Sequence, residues 1–127
     1  MPPDFDVPDA FDVFTLVILR RPENAPEMSE EELEDLQRRH LAYRADLGRQ
    51  GLLAVNGPCD GLGDPSYRGM SIFACDPAQA ARLSDGDPSV AAGRLTYHVM
   101  KWWVAAGSLD FPNAGRPVGE RRAMPRD

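Results

Sequence analysis

The sequence predicts one small α+β domain with the element order βαββαβ: a four-stranded antiparallel sheet with two helices on one face. Three observations predict it. Phe11–Arg20 alternates like a strand but is apolar on both faces. Ser29 and Glu32 open a stripe of apolar residues at helical spacing. Asp76-Pro77 opens a second, shorter helix between two further strand-like runs.

Residues 1–10 hold three prolines and three aspartates and read as a loose lead-in. In the first strand, Val13, Thr15, Val17 and Leu19 share one face, and Phe14, Leu16 and Ile18 share the other. One helical layer covers only one face, so a second copy of the chain is expected to cover the other, as a homodimer. Arg21–Glu27 contains two prolines and is a loop. Ser29 and Glu32 form a capping box, Met28 and Leu33 a hydrophobic staple, and Glu30, Glu31, Glu32 and Glu34 suit the positive end of the helix dipole. The helix is expected to reach about Leu47, with Gly48 and Gly51 as stops. Leu33, Leu36, His40, Tyr43 and Leu47 lie on its buried stripe.

Leu52–Asn56 is a short strand ended by Gly57-Pro58, and Cys59–Arg68 is a surface loop. Gly69–Cys75 alternates as a third strand. The second helix runs from Asp76-Pro77 to Gly86, and Asp87–Gly93 makes a single helical turn. In Arg94–Val104, the last strand, Leu95, Tyr97, Val99 and Trp103 oppose His98, Met100 and Trp102. The domain thus spans 11–105, and 106–127 is a Gly-, Pro- and Arg-rich tail. Right-handed crossovers reduce this order to the split βαβ, ferredoxin-like arrangement. That arrangement gathers the Gly57-Pro58 turn, the 59–68 loop and the Asp87-Pro88 turn at one edge of the sheet, with His40 rising towards them. It sends Cys59 and Cys75 to opposite ends of a hairpin, too far apart to bridge.

A net charge of −6 argues against nucleic acid as a partner, and the chain lacks the Lys/Arg cluster that anionic lipid requires. The acidic, proline-rich start is unlike a signal peptide, and the longest apolar run, Val13–Leu19, falls well short of a membrane span. A cytoplasmic protein is expected. Lys101 is the only lysine among many Arg, Ala, Gly, Pro and Asp, a composition that fits a GC-rich bacterial gene.

The segments His40-Leu41-Ala42-Tyr43, Gly51-Leu52-Leu53, Gly57-Pro58 and Asp87-Pro88-Ser89-Val90-Ala91-Ala92-Gly93 resemble the YCII-related family over roughly residues 11–105. The resemblance implies a dimeric α/β-barrel of ferredoxin-like subunits, similar in fold to muconolactone isomerases. It also implies a histidine–aspartate active site, which maps onto His40 and Asp87. The family includes a dehydrochlorinase acting on a hydroxylated chloro-aromatic ring, so cofactor-free isomerase or lyase chemistry is the implied activity. The acidic lead-in and the tail depart from the shortest members.

Each candidate has a plainer alternative. His40 is either a general acid/base or a core histidine satisfied by a backbone carbonyl or by Tyr43. Asp87 either orients His40 or simply caps the turn that it begins, and the two roles compete for its oxygens. Gly57, Pro58, Arg44, Tyr43 and Pro88 are the expected substrate contacts around the pair. Arg44 reads as a solvated flank of the stripe or as a clamp for an anionic substrate. His98 and the Trp102-Trp103 pair read as packing or pocket wall, Cys59 has no activating neighbour, and Gly61-x-Gly63 is too short to be a phosphate loop. No metal or cofactor is expected, since His98 belongs to the opposite sheet face from His40.

Two functions follow. One is a small-molecule enzyme in which His40 moves a proton on a phenolic or lactone-like substrate. The other is a non-catalytic ligand-binding or interaction module. An imidazole nitrogen within about 3.2 Å of the Asp87 carboxylate favours the enzyme.

Overall fold

The computed structural model describes residues 10–111. The expected lead-in (but for Ala10) and the tail from residue 112 onward lie outside the described residues. The elements are β1 (Phe11–Arg20), α1 (Glu30–Arg49), β2 (Leu53–Pro58), β3 (Tyr67–Phe73), α2 (Pro77–Asp85), α3 (Pro88–Ala91) and β4 (Thr96–Ala105). They form one antiparallel sheet in the order β2-β3-β1-β4, the ferredoxin-like topology, with the helices packed on it. β1 lies in the interior of the sheet, which is why its residues are apolar on both faces.

The inner face carries the core. Val17 and Leu19 of β1, Leu53 of β2 and Phe73 of β3 meet Leu47 of α1 and Ala80 of α2, and Leu95 closes the end before β4. Phe73 and Val17 are completely buried; each such side chain contributes about 1.5–3 kcal/mol by leaving water. Thr15 is also buried, and its hydroxyl donates to the Cys75 carbonyl at 2.6 Å. Among the described residues no helix covers the outer face. There Phe14, Leu16, Ile18, Met70, Ile72, His98, Met100 and Trp102 fall in register on three adjacent strands. Phe111, beyond β4, meets Phe14 edge to face with ring centres 5.4 Å apart.

The expected capping box is present: the Ser29 hydroxyl accepts from the Glu32 amide, and the Glu32 carboxylate accepts from the Ser29 amide, each at 3.1 Å. α1 continues through Gly48 to Arg49, and Gly51, at φ +77°, takes the left-handed position that ends it. β2 runs past the expected break at Gly57 to Pro58, which pairs with Gly69. It is an edge strand, where a proline without an N–H is tolerated. β3 begins at Tyr67, earlier than expected, because a bulge lets it continue: Leu19 pairs with Gly69 and Arg20 with Tyr67, leaving Arg68 as the extra residue. The thiols of Cys59 and Cys75 are free.

Gly86, which ends α2, lies under Tyr43. A Cβ there would sit 2.7 Å from the Tyr43 hydroxyl, so only glycine lets that ring reach across.

Replacing Ser29 with Ala should cost about 1 kcal/mol by orphaning helix N–H groups. It should lower the midpoint of urea unfolding with an unchanged slope.

Candidate functional site

The site begins with the phase of α1. Leu36 and Leu47 are anchored in the core, and this fixes which way the residues between them face. His40 and Arg44, one turn apart, then point at the start of α3, which packs against α1. Asp87 caps α3, and Pro88 stands at its first helical position.

Asp87 is fully buried, and both its carboxylate oxygens are engaged. Oδ1 is 2.8 Å from His40 Nδ1 and accepts from the Ser89 amide at 2.9 Å. Oδ2 accepts from Arg44 Nη1 at 3.2 Å. The two readings of Asp87 therefore coincide, because one oxygen serves both the cap and the imidazole. Burial by itself would raise the Asp87 carboxyl. The hydrogen bonds from His40 and Ser89 and the positive charges of His40 and Arg44 outweigh it, so the group lies below its ordinary 3.8. An ionised carboxylate only accepts, so His40 Nδ1 carries the proton in this bond and Nε2 is left with a lone pair when the ring is neutral.

Arg44 is not a solvated flank of the stripe. Only 3% of it is exposed, and its remaining bonds also stay within the protein: Nε donates to Asn56 Oδ1 at 3.0 Å and Nη2 to Ser71 Oγ at 2.9 Å. Burial lowers its affinity for the proton, and the adjacent Asp87 opposes that effect. Helical projection put Arg44 at the margin of the stripe; what draws it inside is a set of three acceptors from β2, β3 and the cap of α3. Ser71 in turn donates to the Val17 carbonyl at 3.4 Å, tying the network to the central strand.

His40 forms part of the wall of a cavity of about 200 Å³. Gly57 and Pro58 also line it, as do Asn56, Gln37, Arg21 and Arg68. Arg44, Tyr43, Asp87 and Pro88 lie outside the lining. Arg44 and Asp87 stand behind His40, Pro88 starts α3, and the Tyr43 hydroxyl donates to the Leu83 carbonyl at 2.7 Å. Sequence reasoning missed Arg21, Arg68, Gln37, Asn56 and Ser71. Ser71 left a signal: it is a polar residue on the apolar inner alternation of β3, where a buried partner was required. His98 pairs with Ile18 on the outer face, away from the cavity. Among the described residues no group of three His, Cys, Asp or Glu side chains is placed to hold a metal.

No family model and no curated protein matches the chain. Among solved structures it is similar to the 5-chloro-2-hydroxyhydroquinone dehydrochlorinase of Burkholderia phenoliruptrix AC1100, in complex with 2,5-dihydroxybenzoquinone. The two are 20% identical, with a TM-score of 0.53 over 70% of this chain and 92% of that one. At that identity the likeness establishes the shared fold.

Asp87→Ala should destabilise the protein at pH 7 by about 3–5 kcal/mol, because it strands the Arg44 charge in the interior. Asp87 binds its proton less readily folded than unfolded, so its contribution is complete above 3.8 and is lost as pH falls through the lower folded value. Acid unfolding of the variant, followed by circular dichroism, should be correspondingly flatter below about pH 4.

Proposed function

We propose that this chain is a small-molecule enzyme of the YCII type, performing cofactor-free acid/base chemistry with His40 as the proton carrier and Asp87 as its positioning partner. The observation that carries the proposal is the 2.8 Å contact between His40 Nδ1 and Asp87 Oδ1, with His40 in a cavity wall and Asp87 behind it. The YCII-like motifs and the fold shared with a dehydrochlorinase support the same reading.

The geometry fits a simple step. Nε2 takes a proton from a carbon or hydroxyl of the bound substrate. In an elimination, the electron pair left behind forms a new double bond and expels the leaving group with its bonding pair. In an isomerisation, the same proton returns to a different carbon. Throughout, the imidazolium keeps Nδ1–H on Asp87, whose negative charge stabilises it. Arg44 holds the second oxygen of Asp87, so the carboxylate cannot swing away from the ring.

His40→Ala should lower turnover of a responsive substrate by about 10²–10⁴-fold with the fold intact by circular dichroism. Suitable compounds are 5-chloro-2-hydroxyhydroquinone, with chloride release as the readout, and small phenols and lactones chosen by thermal shift. Unchanged turnover in His40→Ala would remove the mechanism.

The second part of the proposal is a homodimer formed through the outer sheet face, where a shallow apolar groove of about 450 Å³ includes Leu16, Met70, Ile72 and Trp102. Light scattering behind a sizing column should give twice the 14.0 kDa chain mass. Leu16→Glu should give the single-chain mass, since the charge would be buried without a partner.

A further inference from the structure

The cavity beside His40 is lined by two arginines, Arg21 and Arg68, and among the described residues by no carboxylate. That is unexpected in a chain of net charge −6. The ion pairs among the described residues take up Arg20, Arg38, Arg39, Arg44 and Arg49, and none includes Arg21, Arg68 or Arg94. Arg94 belongs to the same cluster. It lines a second cavity of about 260 Å³ that shares Arg21 and Gln37 with the first. Its Nη1 donates to the Pro26 carbonyl, while its Nε is buried without a partner among the described residues. Among the described residues the Arg21 side chain makes one weak bond, from Nε to the Arg94 carbonyl at 3.4 Å. Burial first, then the like charges of Arg94 and Arg68, make Arg21 a weaker base than usual. Arg21 is thus repelled by both Arg94 and Arg68, a cost in free energy that a bound anion would recover.

The backbone is arranged to keep one of them there. Arg68 is the extra residue of the β1–β3 bulge, a device that redirects a side chain beside a site. Regular alternation would send Arg68 to the face opposite Gly69; the bulge leaves both in the cavity wall.

We propose that the substrate of this site carries a carboxylate, bound by Arg21 and Arg68 at the mouth of the cavity so that the rest of the molecule lies against His40. The guanidinium fork matches a carboxylate in two parallel hydrogen bonds. Phosphate is the weaker fit, because phosphate cradles use helix N-termini or runs of free backbone N–H groups. Here the Gly57-Pro58 wall is a paired strand that ends in a residue with no N–H. Turnover of that carboxylate rests on the acid/base role of His40; the anion site itself does not.

The test uses sodium benzoate, its neutral isostere benzamide, and inorganic phosphate, each added to the full chain at constant ionic strength. Binding is read by thermal shift and by amide chemical shifts at Gly57 and Gly69. Benzoate should raise the unfolding temperature saturably and move both amides, and benzamide should do neither. Arg68→Gln and Arg21→Gln should each weaken benzoate by about tenfold or more, the loss of a charged hydrogen bond. Arg68 is exposed and makes no side-chain bond among the described residues, so its variant serves even if Arg21→Gln unfolds. Equal responses to benzoate and benzamide, no response to benzoate, or full benzoate affinity in Arg68→Gln would overturn the proposal. So would phosphate binding more tightly than benzoate. If benzoate binds as stated while His40→Ala keeps its turnover, the anion site stands and the acid/base reading falls.

Discussion

The buried carboxylate of Asp87 is the group around which the rest is arranged. It receives a histidine, an arginine and a backbone N–H at once, and it is wholly out of water. An isolated ion in that position would be neutralised or expelled. It stays ionised because each neighbour contributes a donor, and the neighbours are held by two elements: α1 for His40 and Arg44, α3 for Ser89. Arg44 is in turn satisfied by Asn56 on β2 and Ser71 on β3. The charge is therefore balanced across four elements, and none of them can shift far without exposing an unpaired ion.

This arrangement ties the sheet to the His40–Asp87 pair. Ser71 faces inward among Val17, Leu53 and Phe73, where an apolar side chain would pack as well. Its hydroxyl is required because Arg44 passes over Phe73, 5.9 Å from the ring centre, with one side of the guanidinium otherwise lacking an acceptor. The imidazole is thus fixed from behind by polar groups. The geometry that orients it comes from α1 and from the cap of α3.

Much of this was legible in the chain, for reasons that are local. The strand alternation, the capping box at Ser29 and the Asp-Pro starts at Asp76 and Asp87 are short-range physics, and they gave the element order and hence the topology. His40 could be placed on the inner side of α1 because its stripe neighbours are unambiguous. Arg44 was misread because an arginine at the margin of a stripe is ordinarily solvated, and its three acceptors lie far along the sequence. Arg21 and Arg68 were invisible for a related reason. One sits in a loop just past a strand, and the other is turned by a bulge whose register depends on pairing between distant segments. Tyr43 carried the right spacing for the stripe, but its partner, the Leu83 carbonyl, is a main-chain group that no side-chain pattern could announce.

The pieces of the network come from far apart in the chain: 47 residues separate His40 from Asp87, 43 separate Arg44 from Asp87, and 27 separate Arg44 from Ser71. Closing loops of that length is among the slower events of folding. A nascent polypeptide emerging from the ribosome, with α1 already coiled but residue 87 not yet synthesised, would hold His40 without its carboxylate partner. The His40–Asp87 contact comes into being only with the finished tertiary structure, so its formation is itself a report that assembly is complete.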